Sequence, residues 1–124
     1  MNIVLIDDDP ATNIYHEVKL KENLLTVSVL CFNDARDVIK RINSKSIMID
    51  IIFCDKNMPF MTGWDFIKVY EIYFQEKKST ARVCLLSDLI TPKDHIEATK
   101  YESLIKVYPK SIDTPYFSDS SIMR

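Results

Sequence analysis

The sequence predicts an α/β fold built on a doubly wound parallel sheet, and three observations carry that expectation. Strand-like and helix-like segments alternate along the 124 residues. The strand-like segments are mostly continuous apolar runs, the pattern of strands covered on both faces. Carboxylates and hydroxyls gather where those runs end. Right-handed crossovers between parallel strands place helices on both faces of the sheet, and such sheets bind ligands beyond the carboxyl ends of their strands.

Each element follows from local pattern. Residues 3–7 open with Ile3-Val4-Leu5-Ile6, a buried first strand. Residues 10–23 put Ile14 and Val18 on one helical face with charges opposite. Residues 25–32 are partly alternating and β-branched, a second strand. Residues 33–42 hold Ala35, Val38, Ile39 and Ile42 at helical spacing. Residues 50–55 form the third strand and 64–77 an aromatic-rich helix that packs on the sheet, with Val69 and Ile72 off its apolar face. Residues 81–87 are the fourth strand and 92–101 a polar fourth helix. Residues 104–108 make a fifth strand, interrupted by Lys106. Asp9-Pro10 and Thr91-Pro92 set a capping side chain before a proline at the first helical position, and Thr114-Pro115 repeats the pattern. Asn33 and Thr62 are further N-cap candidates, Thr62 with Asp65 three residues on as a capping box. Only 114–124 remain for a fifth helix, and their serine-rich sequence predicts a short one.

Composition narrows the class. A chain of this length fits one domain over 1–124 with a self-sufficient core. A net charge of −2 gives no nucleic-acid footprint. No run of about 18 apolar residues is present to span a membrane, and the N-terminus enters a strand pattern without a basic leader segment. Cys31, Cys54 and Cys84 lie in or beside apolar runs without metal-ligand spacing, which predicts three buried, reduced thiols. His16 and His95 fall in polar helical contexts and read as surface residues.

The chemistry concentrates at predicted strand ends. Asp7-Asp8-Asp9 closes the first strand, Asp55 the third and Ser87 the fourth. Carboxylates brought this close repel one another, and a hard divalent cation relieves the repulsion; Mg2+ suits one or two carboxylates with water and phosphate oxygens. A carboxylate in such a site is a nucleophile towards a phosphoryl group, and a lysine nearby neutralises the charge that develops. The Ser87 hydroxyl can bond a phosphoryl oxygen. Asp9 reads as a helix cap rather than a metal ligand. Gly63, the only glycine in the chain, follows Asp55 by eight residues.

The ordered set resembles the response-regulator receiver domain, the phospho-accepting module of two-component signalling, in its stand-alone, CheY-like form. The resemblance rests on Asp7-Asp8 after the first strand, on Asp55 followed by Met58-Pro59 and Gly63, on Ser87 after the fourth strand and on Lys110 after the fifth. It implies a flavodoxin-like sheet of order 2-1-3-4-5. It further implies Asp55 as phospho-acceptor, with Asp7, Asp8, Asp55 and the Asn57 backbone carbonyl as Mg2+ ligands. Ser87 and Lys110 would then bind the phosphoryl oxygens, Lys110 being preferred to Lys106 by its spacing from Ser87. The implied partners are a histidine kinase or phosphotransfer protein and a downstream protein, with no nucleic acid or membrane. The resemblance also implies a cytoplasmic monomer or weak dimer that is not an enzyme beyond its own phosphotransfer and dephosphorylation.

Departures from the family pattern accompany it. Ser111 stands where the family has proline after the lysine. Val107 occupies the place of the family's aromatic switch, with Tyr108 one position on and therefore on the opposite face. Asp88 brings a carboxylate next to Ser87, which would repel an incoming phosphoryl group. Two alternatives accompany the receiver reading. One is a degenerate receiver that works unphosphorylated as an interaction module. The other is a haloacid-dehalogenase-type phosphohydrolase using Asp7 of Asp7-x-Asp9, although the glycine expected soon after is absent.

Overall fold

A computed structural model describes residues 1–23 and 26–110. The elements run β1 (Asn2–Ile6), α1 (Pro10–Asn23), β2 (Ser28–Phe32), α2 (Ala35–Asn43), β3 (Ile51–Asp55), α3 (Gly63–Gln75), β4 (Arg82–Ser87), α4 (Pro92–Ala98) and β5 (Leu104–Pro109). The five strands are parallel in the order β2-β1-β3-β4-β5, the flavodoxin-like order expected. The expected fifth helix, Thr114-Pro115 and the Lys110-Ser111 peptide lie outside the described residues.

Register decides what meets at the carboxyl edge. Ile6 pairs with Cys54, so Asp7 and Asp55 end neighbouring strands side by side. Asp55 pairs with Leu86, and Ser87 with Pro109, which brings Lys110 to the same edge. A shift in the β4–β5 pairing between Val83 and Cys84 sets that last alignment. The sheet order reverses between β1 and β3, the place where such folds open a crevice.

Ile3–Ile6 of β1 and all of β3 are buried because helices cover both faces of these central strands. Val4, Ile6, Ile52, Val83 and Val107 pack with α2 and α3 residues such as Val38, Phe66 and Tyr70. Ile3, Leu5, Phe53, Leu86 and Tyr108 pack on the other side with Leu20 of α1. Val107 and Tyr108 therefore face opposite layers. The α3 aromatics divide as expected for a sheet-packing helix, with Phe66 and Tyr70 buried, Trp64, Tyr73 and Phe74 partly buried and Ile72 exposed.

Several expectations change. Ile14 and Val18 are exposed, and α1 turns Asn13, His16 and Leu20 to the sheet instead. The polar choice has a physical basis: the Asn13 side-chain amide donates to the Asp7 and Phe32 carbonyls, tying β1 to β2 where their ladder ends. His16 is buried, whereas His95 is exposed as expected. Cys31 is exposed because β2 is an edge strand; Cys54 and Cys84 are buried free thiols. The N-cap of α2 is Asp34, whose carboxylate accepts from the Arg36 backbone, rather than Asn33. Thr62 and Thr91 each complete a capping box, with Asp65 and Asp94. Asp9 accepts from the Ala11 backbone at 3.0 Å, as a cap should. α4 is shorter than expected, ending at Ala98.

Left-handed backbone occurs at Lys45, Phe60 and Lys77 among the described residues, none of them glycine. Lys45 and Lys77 follow α2 and α3 as helix-ending residues, where the conformation is common. Phe60 is different: it carries a bulky side chain at φ 67° and is 85% exposed. That conformation costs roughly 1–2 kcal/mol for an ordinary residue. The Arg36 guanidinium lies 4.9 Å from the ring centroid, an exposed cation–π contact that returns about 0.5–1 kcal/mol. Phe60→Asn is therefore expected to raise the melting temperature by a few degrees in a thermal scan. A fall would mean that the contact with Arg36 outweighs the strain.

Candidate functional site

The site lies beyond β1, β3, β4 and β5. Carboxylate oxygens of Asp7, Asp8 and Asp55 all come within 4.8 Å of one another, with Asp7 and Asp55 buried and Asp8 exposed. The Lys110 ammonium stands 3.0 Å from Asp7 Oδ2 and 3.3 Å from Asp55 Oδ2. Lys106, the competing lysine, is exposed and lies over the Tyr108 ring. Asp7 is heavily committed: Oδ1 accepts the Asp9 N–H at 2.9 Å while Oδ2 faces Lys110. Asp55 is less so, its Oδ1 accepting a long 3.4 Å bond from the Asn57 N–H.

The electrostatics follow from this crowding. Burial pushes the Asp55 carboxyl above its usual range, Asp7 pushes it further, and Lys110 pulls it back. Burial works against the Lys110 ammonium, yet Asp7 and Asp55 outweigh it and hold its pKa above the ordinary value. One cation thus serves two buried carboxylates, with a third at the rim. Three hard oxygen donors with an excess of negative charge fit a small divalent cation, and Asp8 at the exposed edge leaves the group reachable from solvent.

Ser87 is fully buried, and its hydroxyl donates to the Leu89 carbonyl at 2.6 Å. That bond must be given up before the hydroxyl can turn to a group on Asp55. The same carbonyl accepts from the Lys56 ammonium at 3.1 Å. Lys56 also reaches Asp94 Oδ2 at 2.8 Å, while Trp64 Nε1 donates to Asp94 Oδ1 at 3.1 Å. The residue after Asp55 is therefore bonded to the start of α4. Sequence pattern missed this network. Asp94 was legible as the third residue after a capping Thr91, but nothing in spacing pointed Lys56 or Trp64 towards it. Asp88 is exposed at the rim.

Gly63 explains its own singularity. A Cβ there would lie 2.7 Å from the Asp55 carbonyl oxygen and 2.8 Å from Lys56 Cα. The Gly63 N–H donates to the Lys56 carbonyl at 2.8 Å, so α3 begins directly against the end of β3.

A five-stranded parallel α/β protein of strand order 2-1-3-4-5, with an acidic group at its carboxyl edge beside a lysine and a buried serine, has the fold of a CheY-like signalling domain. Residues 3–113 match the response regulator receiver domain family. The chain belongs to that family, and with it to two-component signalling; its members are signalling domains rather than conventional enzymes. Among solved structures it is similar to a two-component response regulator from Cytophaga hutchinsonii, at 26% identity and a TM-score of 0.75, covering 86% of this chain and 82% of that one. The chemotaxis protein CheY4 of Vibrio cholerae shares the fold at 20% identity and a TM-score of 0.72, covering 88% of this chain and 85% of that one. No curated protein shows significant sequence similarity to this chain. Among the described residues no helix is long and apolar enough to cross a membrane.

Proposed function

We propose that this chain is a single receiver domain over residues 1–124 that accepts a phosphoryl group on Asp55 from a phosphohistidine of a kinase or phosphotransfer protein. The observation that carries the reading is the placement of Asp55: a buried carboxylate within 4.8 Å of Asp7 and Asp8 oxygens, with an ammonium 3.3 Å away. An Asp55 carboxylate oxygen attacks phosphorus in line, the P–N bond of the donor breaks, and the imidazole leaves with its electron pair and takes up a proton. Lys110 holds a positive charge beside the oxygens of the incoming group, and Ser87 supplies a hydroxyl once it leaves the Leu89 carbonyl. Asp7, Asp8, Asp55 and the Asn57 carbonyl would hold Mg2+, which when bound offsets the charge shared by phosphoryl and carboxylate oxygens. Hydrolysis of the acyl phosphate resets the domain.

Asp55 is favoured over Asp7 as nucleophile because its oxygens are held at longer range, 3.4 Å from the Asn57 N–H and 3.3 Å from Lys110, against 2.9 and 3.0 Å at Asp7, and Asp9 is occupied as a cap. The acidic cluster also favours a phosphorylated receiver over a degenerate one. The output is a changed surface offered to a protein partner. The net charge of −2 supports the absence of nucleic acid among the partners. We place the domain in the cytoplasm as a monomer or weak dimer.

The deciding experiment incubates the protein with Mg2+ and a small acyl phosphodonor, then detects a hydroxylamine-sensitive phosphoryl group. Wild type is expected to label, while Asp55→Asn and Mg2+-depleted wild type are not. Labelling that survives in Asp55→Asn, or that maps to Asp7, would overturn the assignment.

A further inference from the structure

The turn from β4 into α4 decides what the Ser87 hydroxyl bonds, and one side chain holds that turn. Ser87 is engaged as donor and as acceptor by a single residue. Its hydroxyl donates to the Leu89 carbonyl at 2.6 Å and accepts the Leu89 N–H at 3.2 Å. Leu89 is 69% exposed, so its own burial does not fix the turn. Lys56 does so instead. Its backbone N–H donates to the Leu86 carbonyl at 2.8 Å, while its ammonium reaches the Leu89 carbonyl at 3.1 Å and Asp94 Oδ2 at 2.8 Å. The residue next to Asp55 in the chain is thus bonded to the end of β4, to the turn and to the start of α4. Asp94 is held in its own right by the Thr91 N–H and the Trp64 indole, which makes it a fixed anchor for the ammonium.

We propose that Lys56 is a positioning residue that acts as a brake on phosphoryl capture: by holding the Leu89 carbonyl in place, it keeps the Ser87 hydroxyl committed to Leu89 rather than to a group on Asp55. The proposal rests on the reading of Asp55 as acceptor and Ser87 as a ligand of its phosphoryl group. To that reading it adds a resistance that this chain builds into the step. A hydroxyl has one proton to donate, so Ser87 serves either the Leu89 carbonyl or a phosphoryl oxygen. Lys56 stabilises the first arrangement, because a charged donor anchored on a buried carboxylate keeps the carbonyl within reach of the hydroxyl. The incoming phosphoryl group has to outcompete that arrangement, and its differential attraction for the hydroxyl is spent partly on the change. Without the ammonium, the turn is released from β3 and from Asp94. The Leu89 carbonyl then moves freely on an exposed turn, and the hydroxyl turns to Asp55 at lower cost.

The test is a double-mutant cycle on the full chain. It reads the initial rate of Mg2+-dependent acyl-phosphate formation from a small phosphodonor, with thermal scans to verify folding. Lys56→Met keeps an unbranched side chain and removes the ammonium. Its effect on the rate with Ser87 present is expected to exceed its effect in a Ser87→Ala background by on the order of fivefold, in the direction of acceleration, because the second background has no hydroxyl to release. The lost charge acts on an anionic donor in both backgrounds and cancels from that ratio. Asp94→Asn leaves the Lys56 charge in place and weakens its anchor, and is expected to move the same ratio the same way by about twofold. A merely structural role would slow both backgrounds alike. A ratio of one or below for Lys56→Met, or for Asp94→Asn where Lys56→Met does not fold, overturns the proposal. Asp55→Asn is run alongside. Absence of Asp55-dependent labelling in wild type overturns the acceptor reading, and this proposal with it, whereas equal effects in the two backgrounds with labelling intact overturn the brake alone.

Discussion

Gly63→Ala is expected to lower the melting temperature by roughly 10 °C, the consequence of about 2 kcal/mol of overpacking in a domain of this size. The clash is with atoms that cannot step aside. The added Cβ would lie 2.7 Å from the Asp55 carbonyl oxygen and 2.8 Å from Lys56 Cα, with Leu85 Cδ2 at 3.0 Å. Two of these belong to the backbone at the end of β3. Relief therefore requires α3 to move off the strand, which stretches the 2.8 Å bond from the Gly63 N–H to the Lys56 carbonyl. Alanine is the better helix former, but the gain is at most about 1 kcal/mol and smaller at the first helical residue. The strand end that would yield carries Asp55, so the variant is also expected to accept phosphoryl groups more slowly than wild type. A thermal scan showing an unchanged or higher melting temperature would mean that α3 shifts without cost and that the contact is not what demands glycine.

Asp94→Ala is expected to destabilise the domain by about 3–5 kcal/mol, the usual result of removing one partner from a buried ion pair. The Asp94 carboxylate accepts from the Lys56 ammonium at 2.8 Å, the Thr91 backbone at 2.8 Å and the Trp64 indole at 3.1 Å. The Lys56 and Asp94 side chains are only 14% and 6% exposed, so water cannot replace what is lost. Alanine would leave an ammonium with a single carbonyl partner, an indole N–H without its acceptor and the N-terminus of α4 half-capped. Asp94→Asn keeps the shape and one carbonyl oxygen and should fall between wild type and alanine in urea denaturation.

The pH dependence of the same group has a definite sign. Burial tends to raise the Asp94 carboxyl, but the bonds from Lys56, Thr91 and Trp64 outweigh it and hold it down at about 2. Because the folded value lies below the unfolded one of 3.8, the group's stabilisation is complete above about pH 4 and is lost as pH falls towards 2. Asp94→Asn should flatten the stability profile in that window and leave its shape at neutral pH unchanged. An Asp94→Ala protein as stable as wild type would show instead that the pair contributes no net stability.

Much of the fold was legible because its signals are local. The runs at Ile3–Ile6 and Ile51–Ile52 are apolar throughout, and two covered faces are the only setting that accommodates them. Thr62 and Thr91 announced helices through side chains that act within three residues. The carboxyl-edge cluster was legible for a topological reason. Parallel strands joined by right-handed crossovers must send Asp7, Asp55, Ser87 and Lys110 to one edge, whatever fills the core.

What sequence did not disclose depends on direction and distance across elements. Ile14 and Val18 look like the buried face of α1 by periodicity, yet the helix turns Asn13 and His16 inward. The strand-end carbonyls beneath it require donors, and apolar side chains have none to offer. The exposure of Cys31 follows from β2 standing at the sheet edge, a matter of strand order rather than of local pattern. The bond from Lys56 to Asp94 joins residues far apart in the chain through side chains whose aim is set by packing.

The sequence by itself determined the alternation of strands and helices, the caps, the family and the acidic edge, since these follow from patterns of a few residues and from the handedness of the chain. Tertiary structure alone decided which carboxylate is held more loosely, which lysine stands between Asp7 and Asp55, what holds Ser87 and why Gly63 has no side chain. Those are questions of separations of about 3 Å between atoms on different elements, and only the packed sheet sets them.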